Sequence, residues 1–144
     1  MHGIRWGIPV AAVVLASLLS SCGGTVEDSY TIEHQPAFAE PIAGTHRVRV
    51  TVEKEAVERL QLRTAPVEKG KSGLVVPSAA IFVDPEGHWW VYTNPEPNVF
   101  VRQEISLKRE DDGQAFLSDG PRVGTQVVTQ GAPELYGVED ESGH

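Results

Sequence analysis

The sequence has very few of the side chains that carry covalent or metal chemistry. Its 144 residues include one cysteine, Cys22, and one methionine, Met1. A single thiol excludes a disulfide within the chain and a site built from several cysteines. No nucleophile lies beside a credible base in a local motif, and the chain has no glycine-rich phosphate loop. We therefore expect a noncatalytic protein that holds no cofactor.

Positive charge is also scarce. The chain has 12 Lys and Arg residues against 20 Asp and Glu residues, which gives a formal net charge of −8. A protein with this balance has no basic face to attract a phosphate backbone. Nucleic acid is therefore not an expected partner.

The histidines lack the spacing of a metal site. His34, His46, His88 and His144 are isolated in the sequence, without an H-x-x-x-H pair or a methionine cluster. We interpret them as solvated surface side chains and predict no metal site. Capture of a metal or another small ligand, through His46 or His88, stays open as the alternative function.

The longest apolar run lies near the start of the chain. Arg5 precedes an apolar run from Ile8 to Leu19, and small residues follow this run. That layout is typical of a secretory signal peptide. About 12 apolar residues are too few for a helix that spans a bilayer, which needs roughly 20. We predict a signal peptide over residues 1–21.

Cys22 comes directly after this segment. Residues 19–22, with the sequence LSSC, resemble the lipobox of bacterial lipoproteins. In that family the cysteine sulfur receives a diacylglyceryl group, and two acyl chains anchor a protein stably where one chain binds reversibly. The resemblance implies that acylated Cys22 holds the chain in a lipid bilayer, on the extracytoplasmic side of a cell membrane.

The remaining chain divides into a spacer, one domain and a tail. Residues 22–45 mix Gly, Pro, Thr and acidic residues without a sustained apolar period, which indicates a flexible tether. We expect a single domain over residues 46–137, since the mature length suits one modest core. Residues 138–144 form an acidic tail, and we expect the chain to fray beyond Tyr136.

The domain has the pattern of a small β-protein. Residues 46–53 alternate between apolar and polar, as a half-buried strand does, and residues 53–62 have the period of a short amphipathic helix. Asp84, Pro85 and Gly87 occupy favoured places of a type I turn, which predicts a hairpin. Six or seven short strands and one short helix indicate a mainly β fold, a small antiparallel β-roll or barrel.

Four segments of the second half carry a family resemblance. They are VVPSAAI at 75–81, WVYT at 90–93, FVRQEISL at 100–107 and GTQVVTQGAPEL at 124–135. In this order they resemble the C-terminal part of the periplasmic adaptor subunits of resistance-nodulation-division efflux systems, also called membrane fusion proteins. Residues 46–70 are similar to the opening segment of many such adaptors.

The resemblance implies the membrane-proximal domain of these adaptors, which is assembled from the two ends of their chain. Nothing in this sequence corresponds to their lipoyl and α-hairpin domains, and Gly70–Gly73 stands where the chain would leave for them. The pattern most resembles short single-domain lipoproteins. It implies a module that docks on a transmembrane transporter or an envelope complex, without the bridging role of the hairpin.

Trp89 and Trp90 are neighbours in a predicted strand. Neighbouring strand residues point to opposite faces, so both rings cannot enter one small core. One ring is therefore a candidate for a partner surface, where tryptophan is enriched. The alternative is that the outward ring is covered, by the helix at 56–60 or by residues 94–98.

Overall fold

A computed structural model describes residues 35–142 of the chain. Within them the strands are β1 (Ala37–Pro41), β2 (Val48–Val52), β3 (Arg63–Pro66), β4 (Glu68–Gly70), β5 (Gly73–Pro77), β6 (Phe82–Val83), β7 (Trp89–Glu96), β8 (Val99–Asp111), β9 (Gln114–Asp119) and β10 (Gln126–Gln130). The helices are α1 (Lys54–Arg59) and α2 (Ala132–Ser142), and Ser78–Ala80 form a 3₁₀ turn. The protein is mainly β, as predicted.

The strands form one antiparallel sheet that curls into a half-barrel. Its seven strands follow the order β3-β10-β7-β8-β9-β5-β4. The two end strands, β3 and β4, are consecutive in the chain and are separated by Val67 alone. The Val67 N–H donates to the Thr125 carbonyl oxygen, and the Gly124 N–H donates to the Val67 carbonyl oxygen, both at 2.8 Å. One extended segment, residues 63–70, therefore supplies both ends of the half-barrel.

β8 connects the half-barrel to two further strands. Its first half pairs with β2, which in turn pairs with β1. Its second half pairs with β9, and β7 lies along its other side. The register with β9 shifts between Ser106 and Arg109, and such irregularities bend a strand. The bend lets one long strand serve both parts of the sheet.

Hairpin turns join several of the strands, and the turn predicted at residues 84–87 is confirmed. It lies between β6 and β7, and its Gly87 N–H donates to the Asp84 carbonyl oxygen at 3.0 Å. Between β8 and β9, Asp112 and Gly113 have φ values of 49° and 73°. Two consecutive positive φ values are typical of a type I′ hairpin turn.

β4 and β5 form a hairpin with a very short turn. The register pairs Gly70 with Gly73, so only Lys71 and Ser72 lie between the strands. Gly73 has a φ of +141°, and a Cβ atom at this position would overlap the carbonyl oxygen of Leu117. Only glycine fits here, because the obstacle is backbone and not a flexible side chain.

An inner core fills the concave side of the half-barrel. It draws residues from five of the strands, from Val67 and from the 3₁₀ turn, and all of them are buried. They are Val67, Val76, Ala80, Val91, Ile105, Ala115, Leu117 and Val127.

An outer core covers the convex side of β7, β8 and β10. There α1 and α2 pack on the sheet, and the neighbouring strand β2 adds Val50 and Val52. Its buried residues are Val50, Val52, Ala56, Tyr92, Phe100, Val128, Ala132 and Leu135. Neighbours such as Val91 and Tyr92 belong to different cores, which explains why the first half of β7, residues 89–92, is apolar throughout.

Two elements lie where the sequence indicated irregular chain. β1 falls within the expected tether and pairs with β2 over its whole length, so the tether prediction is wrong for residues 37–41. α2 continues through the expected tail to Ser142, with Leu135 buried, so fraying beyond Tyr136 is also wrong. Contacts with residues distant in sequence hold both elements in place. A local sequence pattern carries no information about such contacts. Residues 1–34 and 143–144 lie outside the described part.

We predict that Gly73→Ala destabilises the domain by more than about 2 kcal/mol, because the left-handed backbone and the Leu117 carbonyl both oppose a Cβ atom. Gly137→Ala is the matched control. Gly137 lies inside α2 with nothing within 4 Å of a Cβ atom, so this change is expected to stabilise by about 0.5–1 kcal/mol. Urea unfolding measures both values, and equal effects would contradict the prediction.

Candidate functional site

The predicted site residues fall into two groups. Cys22, His34 and His144 lie outside the described residues, so the roles assigned to them stay predictions. Trp89 and Trp90 lie at the start of β7, and both rings are half-buried. The candidate site that the structure describes therefore consists of these two rings and the residues around them.

The two tryptophans lie on opposite faces of the sheet. Trp89 packs against the inner core. Trp90 is paired with Phe82 of β6 and lies on the convex face, where Phe82 and Tyr92 stack with ring centroids 5.4 Å apart. Of the two, Trp90 is therefore the candidate for an outward-facing surface.

Polar and charged groups occupy both the edge and the face of the Trp90 ring. Its Nε1–H donates to Asp84 Oδ2 at 2.8 Å. The Arg102 guanidinium lies over the ring, with Cζ 4.5 Å from the centroid, which is cation–π geometry. Trp90 is thus covered by Arg102, an arrangement that differs from both predicted coverings.

Arg102 belongs to a network that ties α2 to the sheet. Its Nη2 lies 3.1 Å from Glu139 Oε1, and its Cζ is 5.6 Å from the ring centroid of Tyr136. The Tyr92 hydroxyl donates to Glu139 Oε2 at 2.6 Å. We call these five residues, including Trp90, the Arg102 cluster. Through it, two side chains of α2 contact Tyr92 of β7 and Arg102 of β8, and Arg102 in turn covers Trp90.

The Tyr92 hydroxyl is fixed in its neutral, donating form. Tyr92 is fully buried, and burial raises the pKa of its phenol. The hydrogen bond to Glu139 and the negative charge of that carboxylate raise the pKa further, and Arg102 only partly opposes them. Tyr92 therefore serves as a hydrogen-bond donor and not as an acid or a base.

Asp84 holds the adjoining turn. Burial pushes the pKa of its carboxyl group upward, but hydrogen bonds from the Trp90 indole and from the backbone and ring of His88 outweigh it. The net pKa lies below its ordinary value. The His88 N–H donates to Asp84 Oδ1 at 2.8 Å. At neutral pH the carboxylate is ionised and fastens the turn to Trp90.

The two histidines of the alternative function lie at different places around Trp90. His88 Nδ1 is 3.3 Å from Asp84 Oδ2, whereas His46 lines a cavity of about 230 Å³ that Trp90, Arg102 and other residues also line. Within residues 35–142, no group of three or more His, Cys, Asp or Glu side chains is arranged to hold a metal ion. Every buried side-chain nitrogen or oxygen in that range also has a hydrogen-bond partner.

The sequence interpretation missed the importance of Arg102 and Glu139. That interpretation does not single out Arg102, and Glu139 falls in the expected acidic tail. In the structure the Glu139 side chain is 9% exposed and the Arg102 side chain 25%. Arg102 lies between Val101 and Gln103, close to the apolar face of a strand, and an arginine in such a place indicates a buried partner. This signal identifies Arg102, but it does not show that Glu139 is the partner.

Comparisons with protein-family models, curated proteins and solved structures give no match for this chain. The adaptor resemblance therefore stays a prediction. Among residues 35–142, no helix combines the length and the hydropathy needed to cross a bilayer.

We predict that Tyr92→Phe lowers the free energy of unfolding by about 2 kcal/mol, because the Glu139 carboxylate stays buried and loses its hydroxyl donor. Ser118→Ala is the matched control. The Ser118 hydroxyl is exposed and donates to the Ser106 carbonyl oxygen over 3.3 Å, so its loss is expected to change stability by less than about 0.5 kcal/mol. Urea unfolding at pH 7 measures both, and equal effects would mean that the Arg102 cluster does not hold α2.

Acid titration tests the role of Asp84. The pKa of its folded carboxyl lies below the ordinary 3.8, so its stabilising effect is complete above that pH and is lost as the pH falls through the lowered value. Asp84→Asn lacks this dependence. The stability difference between wild type and Asp84→Asn should be constant above about pH 5 and shrink below about pH 4. Glu86→Gln, in the same turn, is the control, and a difference that persists unchanged at pH 2.5 would contradict the prediction.

Proposed function

We propose that this protein is a noncatalytic, acyl-anchored lipoprotein whose β-domain docks on a transmembrane transporter or on another envelope complex. The acyl chains are on Cys22, directly after a signal peptide. The domain works on the extracytoplasmic side of the membrane, as an adaptor module that has no bridging hairpin.

The β4–β5 hairpin is the observation that carries this proposal. In the adaptor resemblance, the segments before and after Gly70–Gly73 belong to one domain but are separated by a long excursion of the chain. Here these segments pair directly, with Lys71 and Ser72 alone between the strands. A short connection also closes with less loss of chain entropy than a long one. The hairpin thus supports a self-contained version of the membrane-proximal domain.

The length of the N-terminal segment limits where the domain can act. Residues 23–34 separate Cys22 from the first described residue, Gln35. Even a fully extended chain of this length reaches at most about 45 Å. A domain anchored through Cys22 therefore stays close to the bilayer, where it meets the membrane-proximal surface of a transporter.

Mass spectrometry of the membrane-extracted protein tests the anchor. We expect a diacylglyceryl adduct on Cys22, and Cys22→Ala should release the protein from the membrane fraction, since the two acyl chains supply the stable binding. Ser21→Ala, which keeps the thiol, is the matched control. An unlipidated protein that is freely dissolved and fully functional would contradict the proposal.

Docking is tested separately, at native expression. After crosslinking and extraction in a gentle detergent, we expect the protein to copurify with a membrane protein that crosses the bilayer several times. Recovery of the lipidated protein as a lone species would refute the docking role and leave the anchor in place.

A further inference from the structure

A groove opens between β1, α1 and α2, on the side of the domain where the described chain begins. Its volume is about 540 Å³. Ala37 of β1, Ala56 of α1 and Val138 of α2 line it, and Leu60, directly after α1, forms one wall. The small side chains at these crossing points leave the space open.

The groove presents apolar surface to solvent. Leu60 is 36% exposed, and Phe38 is 42% exposed. Phe38 lines an adjoining cavity of about 440 Å³, which shares Ala37, Val138 and Glu141 with the groove. The apolar surface is thus continuous across β1 and the second half of α2. The two cavities together are large enough for a short segment of another chain.

The charged residues that line this apolar floor are mostly acidic. Glu134 and Glu141 of α2 line the groove, with Arg59 as the one basic residue of its lining. A segment binds here most favourably when positively charged side chains flank its apolar side chains.

The same charges disfavour the occupants that this chain itself can supply. Residues 23–34, which lie just before the groove in sequence, carry three acidic residues and no Lys or Arg. A second copy has a formal net charge of −8, so it brings an acidic surface to an acidic rim. Like charges placed together at an interface are costly.

We propose that this groove is the docking surface of the domain, and that it binds an apolar segment of another protein flanked by Lys or Arg side chains. This assignment rests on the proposed docking role. Pro36 lines the groove and Gln35 lines the adjoining cavity, so the groove lies at the end of the described chain that is nearer in sequence to Cys22. The bound segment is therefore an extramembrane part of the membrane protein, close to the bilayer.

Photocrosslinking in the full-length protein tests the groove in its own membrane. A photoreactive phenylalanine replaces Leu60, and in the control it replaces Val123, which is 53% exposed and does not line the groove. We expect adducts at position 60, at least about fivefold above those at position 123, because a seated segment holds the probe in contact. Sequencing of the adduct should give an apolar peptide of another protein that carries Lys or Arg.

Gly137 offers a steric test of the same groove. Because a Cβ atom there meets nothing within 4 Å, Gly137→Phe points a ring into the open space and Gly137→Ala does not fill it. We expect Gly137→Phe to lower the adduct yield at position 60 at least about tenfold, and Gly137→Ala to leave it within about twofold. Thermal unfolding confirms that each variant is folded.

Charge reversal provides a second arm that does not depend on the Gly137 variants. Glu134 and Glu141 are both exposed, so Glu134→Lys with Glu141→Lys keeps the fold and should also reduce the adduct at position 60. Glu86→Lys, on the exposed turn before β7, is the matched control and should leave the yield unchanged. An adduct yield that is unaffected by the double reversal would overturn the charge argument and with it the proposed occupant.

The identity of the adduct separates the remaining outcomes. Adducts with residues 23–34, with a second copy, with lipid or with an acidic segment would overturn the assignment, as would equal yields at positions 60 and 123. If a transporter is captured through another surface, the groove is wrong and the docking role stands. If the protein yields no adduct and runs alone after crosslinking, both fail.

Discussion

The domain depends on keeping both faces of one sheet away from water. In β7 and β10, neighbouring residues enter different cores: Val91 and Val127 point inward, and Tyr92 and Val128 outward. The curl of the sheet, together with Val67 and the 3₁₀ turn, covers the inner set. The outer set needs α1, α2 and β2, and each buried aliphatic or aromatic side chain contributes roughly 1.5–3 kcal/mol. A sheet of this kind is stable only with its helices in place.

Covering the outer face also buries polar groups, and the Arg102 cluster shows how they are accommodated. The Glu139 carboxylate is almost fully buried, with Tyr92 and Arg102 as partners. Such a pair adds little net stability when compared with apolar side chains of the same shape, but removal of one partner is costly. The main effect of this pair is to fix the orientation of α2, because Glu139 reaches both of its partners in only one placement of the helix. That placement also defines the groove beside β1.

The sequence predicts the strands of the sheet well, but it predicts poorly the elements that cover the sheet. Period-two alternation and turn residues such as Asp84 are local signals, and they identify the strands and the hairpin between β6 and β7. β1 and α2 have weak local signals, since Pro41 ends a short strand and Gly137 interrupts a helix with an acidic last turn. The Arg102 cluster joins residues that are distant in sequence, so only Trp90 could be singled out in advance. Cys22 is the reverse case, because its predicted role rests on local sequence alone.

The extended segment from residue 63 to residue 70 has a consequence for how the chain folds. It forms one end of the half-barrel with β10, whose Thr129 hydroxyl donates to the Arg63 carbonyl oxygen across 66 positions of sequence. During synthesis from the N-terminus, the edge of β3 stays unpaired until β10 has been made, when nearly the whole domain has emerged. Contacts of such long range slow folding and leave an open edge that other chains can pair with. The pairing of β3 with β10 is therefore a late event, and a chaperone that shields the unpaired edge would protect the nascent protein from aggregation.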